Sequence, residues 1–269
     1  MTQRQPVLFV PHGGGPWPFM QGFGPPGMWD GLRSFLEGIE ASLPAPPKAF
    51  LVVSAHWETE RPTVDADPAP GMLFDYYGFP EHTYRLSYPA PGAPQLAARV
   101  RALLGEAGIA CDEARGRGFD HGVFVPMMLI HPRAETPVLQ MSLQKGASVA
   151  RHIEIGRALA PLREEGVLII GSGLSYHNLR EFFSGDEAPR ASARSFDDWL
   201  TQTLLVEDCD ARDRRLGEWL DAPGARASHP TPEHLEPLFV IAGAAGQDRG
   251  RQVFHGEFWS KSVSGFAFG

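Results

Sequence analysis

The stretch VLFVPHGGGPW, residues 7–17, runs four apolar residues into a proline, a histidine and three glycines. A short apolar run bounded by Pro and Gly predicts a buried strand, and the glycines allow a sharp turn or a close approach by another group. Three further runs share this character: Ala49–Ser54, Val138–Leu143 and Val167–Gly171. Each predicts a strand covered on both faces. Between them the apolar spacing becomes helical, over Met28–Leu43, Ala93–Leu104 and His152–Leu162; in the last, Ile155, Leu159 and Leu162 share one face. Alternating strands and helices predict an α/β fold. The expected architecture is a single layered domain over residues 1–269, with a central mainly parallel or mixed sheet flanked by helices.

The bulk properties narrow the function. At 269 residues with 43% hydrophobic content the chain can bury a substantial core. A formal charge of −8 argues against a nucleic-acid partner, whose phosphates demand clustered Lys and Arg. Cys111 and Cys209 show neither a disulfide framework nor thiolate-ligand spacing. The apolar run at Val7–Val10 is too short for a signal-peptide core, and no stretch approaches membrane-spanning length. Together these predict a cytoplasmic protein with no membrane partner. Residues 58–92, rich in Pro and aromatics, predict a long ordered connection walling a site, with Tyr76, Tyr77 and Phe79 as wall residues.

The histidines carry the chemistry. His12 follows the first strand, His56 follows AFLVVSA and His177 follows VLIIGSGLSY. One histidine at a strand end is usually structural, but three at the carboxyl ends of separate strands converge in one crevice if those strands are parallel. In ASHPTPEHLEPLFVIAGAA, residues 227–245, Thr231 reads as an N-cap and Pro232 as the first helical residue, placing Glu233 and His234 in the first turn. Pro237 would then distort that turn. His229 lies just outside. In GRGFDHGVFVP, residues 116–126, Asp120 and His121 sit in a glycine-flanked turn, where Asp120 could equally be a cap. His82, His131, His152 and His255 read as surface or structural.

Three or more histidines without cysteine ligands select zinc, iron, copper or nickel. Three protein ligands leave open positions for substrate, water or dioxygen. No rival cofactor motif is complete: PHGGGP lacks the Lys-Ser/Thr of a phosphate loop and GSGLSY the third glycine of a dinucleotide loop.

The segments HGGGP, VVSAHW, YGFPEHTYRLSYPAPGAP, GFDHGVF, SYHNLR and HPTPEHLEPLFV, in that order from near residue 10 to about residue 240, resemble the class III extradiol ring-cleaving dioxygenases, in particular their 4,5-DOPA dioxygenase-like branch. The first loop departs from the family's usual His-Gly-Ser-Pro and offers no hydroxyl. The resemblance implies a non-haem Fe(2+) site, with Zn(2+) as the alternative, on His12, His56 and His234, Glu233 being the rival to His234. It implies His177 as acid/base or a fourth ligand, His121 as a residue contacting substrate, and an aromatic diol and O2 as the reactants. A zinc-dependent hydrolase on the same histidines and a non-catalytic binding protein of the same fold are the competing readings.

Overall fold

Every side chain of the run Val7–Val10 is buried, and so is nearly every residue of the three other apolar runs. The computed structural model describes residues 3–269. In chain order these form β1 (Val7–Pro11), α1 (Asp30–Ser42), β2 (Ala49–Thr59), β3 (Thr63–Asp65), α2 (Pro94–Glu106), β4 (Asp112–Ala114), α3 (His121–Ile130), β5 (Val138–Gln144), α4 (Val149–Leu159), β6 (Val167–Gly173), α5 (Glu187–Leu204), α6 (Cys209–Gly217), α7 (Ala225–Ser228), α8 (Glu236–Ala245), β7 (Gly250–Phe258) and β8 (Lys261–Phe268). The strands make one sheet in the order β4-β3-β5-β2-β6-β1-β8-β7.

The four strands expected from sequence form its central block. β2 pairs in parallel with β5 and β6, and β6 with β1. The flanks make the sheet mixed: β8 is antiparallel to β1 and to β7, β3 is antiparallel to β5, and β4 is parallel to β3. Alternate residues of each central strand enter opposite layers, as a two-residue side-chain period requires. Val7, Phe9, Leu51, Val53 and Ile169 pack with Ile155 and Leu159 of α4 and Leu238 and Ile241 of α8. Leu8, Val10, Phe50, Val52, Leu168 and Ile170 pack with Leu32 and Leu36 of α1 and Val123, Phe124 and Met127 of α3. Each fully buried side chain of this size contributes roughly 1.5–3 kcal/mol, so both layers hold the sheet.

Three local expectations are corrected. The helix carrying the PTPEH segment begins at Glu236, not after Thr231; residues 231–235 form turns instead, with Leu235 and Glu236 both donating to the Pro232 carbonyl. Pro237 thus falls in the first helical turn, where its missing N–H costs little. Asp120 occupies the N-cap position of α3 but its side chain does not cap the helix. The connection expected from residue 58 is shorter: β2 runs to Thr59 and β3 lies inside it. Its remainder is folded on itself, with Tyr76 Oη donating to Thr83 O at 2.7 Å beside a short helical turn over Glu81–Arg85. Among the described residues no helix is long and apolar enough to cross a membrane. Cys111 and Cys209 are unpaired.

Candidate metal centre and active-site pocket

Five of the ten histidines meet at the carboxyl ends of the central strands. His12 directly follows β1, and its backbone N–H donates to Gly173 O at the end of β6. Trp17 Nε1 returns to His12 O at 2.8 Å. The glycines make this possible: Gly13 and Gly15 have φ of +79° and +52°, and added Cβ atoms would lie 2.3 Å from Trp17 and 2.7 Å from Phe79. His56 lies within β2, where the pairing with β5 passes from Val53–Met141 directly to Glu58–Leu143. The bulge re-aims the intervening residues and so directs His56 into the crevice. His234 comes from the turn before α8, its carbonyl accepting from Leu174 N at 2.9 Å. That approach needs Gly173, whose added Cβ would stand 2.2 Å from His234 O. His177, beyond β6, is held by its N–H on Ser228 O at 2.9 Å. His121 opens α3.

The distances separate ligand-like from neighbouring rings. Imidazoles bound at about 2.1 Å place their centroids roughly 3.2 Å from the metal, so two on one ion at 90–110° stand about 4.5–5.2 Å apart. The rings of His12, His56 and His234 are 4.9, 5.3 and 4.8 Å apart, and His12 Nε2 faces His56 Nε2 at 3.1 Å. His121 stands 3.9 Å from His56, and His177 stacks on His234 at 3.3 Å and 14°, both too close for the pair to share an ion at ordinary angles. Ligand-capable atoms lie within 4.8 Å of one another in two sets, His12–His56–His121 and His177–Glu233–His234, neither of which is the His12–His56–His234 triad, and each contains one of these crowded pairs.

Hydrogen bonds set the tautomers. Ser172 Oγ donates to Gly122 O, so at 3.1 Å it accepts from His12 Nδ1 and leaves Nε2 with its lone pair free. Glu233 Oε1 lies 3.0 Å from His234 Nδ1 and 3.5 Å from His177 Nδ1, which frees His234 Nε2 in the same manner. A carboxylate on the outer nitrogen of a ligating histidine is a usual partner of a metal site. Burial, then the neighbouring imidazoles, push His12 and His56 well below the ordinary histidine range. Burial, then His177, takes His234 down to about 3 despite Glu233. All three are therefore neutral near pH 7, the state that ligates. Burial opposes ionisation of Glu233, but hydrogen bonds from His177, His234 and Thr231 outweigh it and hold the carboxyl far below the usual range. The donor set thus fits a divalent ion of the imidazole-preferring kind.

Asp75 is the functional residue that sequence reading missed. Its Oδ1 accepts from the His121 backbone N–H at 2.9 Å and from His121 Nδ1 at 2.8 Å, and its Oδ2 lies 3.5 Å from His56 Nδ1. One carboxylate therefore orients two rings, and its only signal is its place in the aromatic segment LFDYYGF. Asp120 instead accepts from Ser54 Oγ at 2.7 Å and from Arg117, which also donates to His56 O at 3.0 Å. It braces the backbone of His56. The other histidines stand outside: His131 faces Glu40, His82 meets Phe19 O, His255 meets Ser264 and Asp197, and His229 packs on Phe196 and Trp219. His152 is fully buried, with neither ring nitrogen partnered.

The cluster floors a cavity of about 430 Å³, walled by Phe23, Tyr76, Phe79, Phe182 and Trp259, with Tyr77 at its rim. A larger groove of about 650 Å³ beside α1 contains no histidine.

A parallel-centred sheet that focuses imidazoles from separate strand ends under an aromatic cavity defines a candidate metal-dependent enzyme site, and residues 7–267 match the family described as the catalytic LigB subunit of aromatic ring-opening dioxygenase, to which the chain belongs. It is 39% identical over 241 residues to the 4,5-DOPA dioxygenase extradiol of Beta vulgaris, covering 87% of each chain. The protein of that name from Escherichia coli (strain K12) is 37% identical over 246 residues, covering 90% of this chain and 86% of its own. The crystal structure of an uncharacterized protein from Escherichia coli K12 superposes with a TM-score of 0.79 at 33% identity, covering 99% of this chain and 100% of that one.

Proposed function

We propose that residues 1–269 form one catalytic domain that opens the ring of a catechol with O2, breaking the carbon–carbon bond beside the diol and placing both oxygen atoms in the product. DOPA is the catechol in the relatives' names. The observation that supports this reading is the mutual spacing of the His12, His56 and His234 rings, at 4.8–5.3 Å, with all three held neutral.

In this reading His12, His56 and His234 hold Fe(2+), with Zn(2+) the alternative occupant of the same donors. When bound there, such an ion would supply Lewis acidity and, in the case of iron, electron exchange between catechol and O2. The residues do the rest. His121, whose Nδ1 is held by Asp75, presents its other nitrogen to the substrate and hydrogen-bonds its oxygens. His177, backed by Glu233, would take a proton from a catechol hydroxyl and give it back later in the reaction as an acid. Tyr76 and Phe79 exclude water from the reacting ring. The two unpaired cysteines accord with a reducing cytoplasm.

Anaerobic protein loaded with Fe(2+), mixed with a catechol and then with air, should consume one O2 per catechol and form a yellow ring-opened product. Absence of O2 uptake together with ester hydrolysis under nitrogen would establish the hydrolase instead, and failure to bind any divalent ion would leave only the binding protein.

A further inference from the structure

The cavity above the histidines is rich in rings and poor in cations. Among its lining residues none is Lys or Arg, and its one carboxylate, Asp75, is engaged by His121 and His56. Three basic groups nearby are committed elsewhere, and Arg180, beside Leu179 in the chain, is exposed and does not line the cavity. Arg117 lies over the Trp57 ring and bonds His56 O and Asp120; Arg190 bonds Ser260 and pairs with Glu187; Lys261 donates to Ser184 O and Trp259 O. The three glycines after His12 add no hydroxyl.

Its mouth is apolar as well. Four large hydrophobic residues are exposed among the described residues, and three of them, Tyr77 at 92%, Leu179 at 63% and Phe183 at 61%, lie on this one rim. Exposed apolar side chains gathered at a cavity mouth mark a surface that a ligand covers. Trp259 joins them from the turn between β7 and β8, with φ of +46°, followed by Ser260 at +65°. Such a turn ordinarily takes Asn-Gly. Here it carries a bulky ring 4.7 Å from Phe183 and 5.6 Å from Phe182. Backbone strain that places a side chain in a site is a feature of ligand clamps.

Resting on the dioxygenase reading above, we propose that the substrate is a catechol bearing an uncharged apolar substituent, aryl or branched alkyl, which runs from the histidine floor along Phe183 and Trp259 towards Tyr77. A cavity of about 430 Å³ has room for a ring and such a substituent. A carboxylate placed there would leave water for a ring-lined wall with no Lys or Arg in its lining, near the carboxylates of Asp75 and Glu233. The apolar group meets a surface that loses nothing by being covered.

The test separates substrate class from chemistry. Zn(2+)-loaded protein is titrated under nitrogen with 4-tert-butylcatechol, 3,4-dihydroxybiphenyl, 3,4-dihydroxybenzoate and DOPA, following tryptophan quenching, and Fe(2+)-loaded protein is assayed for O2 uptake on the same four. The first two should bind at least tenfold more tightly than the last two, with kcat/KM in the same order. Phe183→Arg, at an exposed position, should tighten 3,4-dihydroxybenzoate and weaken 3,4-dihydroxybiphenyl. Equal or inverted Kd values, or no catechol binding, overturn the proposal. The expected Kd order without any O2 uptake sustains it and overturns the dioxygenase reading instead.

Discussion

Replacing Glu233 and His234 in turn decides which of two adjacent groups holds the ion. Glu233 Oε1 stands 3.0 Å from His234 Nδ1, the nitrogen on the far side of the imidazole from any shared ion, and its carboxyl stays ionised. As an outer partner it should tune affinity without supplying it. Loss of such a partner typically costs 10–100-fold in affinity, and glutamine keeps an acceptor oxygen, so Glu233→Gln should weaken binding by roughly tenfold, about 1.4 kcal/mol. His234→Ala removes a coordinate bond. With four-ligand sites worth about 10–16 kcal/mol in all, one ligand is worth roughly 3 kcal/mol or more, so affinity should fall by over a hundredfold. Competition for Zn(2+) against a chelating indicator measures both. If Glu233→Gln loses as much as His234→Ala, the carboxylate is itself the ligand; if His234→Ala binds as the wild type does, the three-histidine site is wrong.

Three further outcomes follow from particular contacts. His177→Ala should retain the ion while turnover falls by about 10²–10⁴-fold; an empty site by metal analysis would make His177 a ligand. Gly173→Ala should disable metal binding even though it touches no ion, because its Cβ would lie 2.2 Å from His234 O; unchanged affinity would refute the close-approach argument. His152→Leu should stabilise the fold by about 1–3 kcal/mol, raising Tm by roughly 3–8 °C, since two buried nitrogens without partners vanish. Burial lowers His152 and His229 to about 4, so the unfolded chain takes up protons first as pH falls. Stability is full above about pH 6.5 and drains between there and pH 4, by about 2 kcal/mol from each between pH 7 and 5. Urea titrations should show that His152→Leu loses about 2 kcal/mol less over that interval, and an identical loss would refute the assignment.

The central strands and the histidines at their ends were legible because both are local. Val7–Val10 and Val167–Gly171 announce strands buried on two faces, and His12 and His177 follow them in the chain whatever the topology. β8 and α5 were not read from spacing. KSVSGFAF is buried throughout, yet its serines and glycine hide a strand whose burial comes from lying against β1, some 250 residues away in sequence. The start of α8 was misplaced because turns over residues 231–235 and the seat of Pro237 depend on the contact of His234 O with Leu174 N.

What the sequence by itself determined is therefore the α/β alternation with its buried central strands, the order of the strand-end imidazoles along the chain and the kind of ion they prefer. Only the tertiary structure brought the rings of His12, His56 and His234 to 4.8–5.3 Å from one another, set Asp75 against His121 and His56, and set Glu233 against His234. The reason is physical. Side-chain type and period act within a few residues, whereas a tautomer or a shared coordination point depends on atoms brought within about 3 Å by the whole sheet.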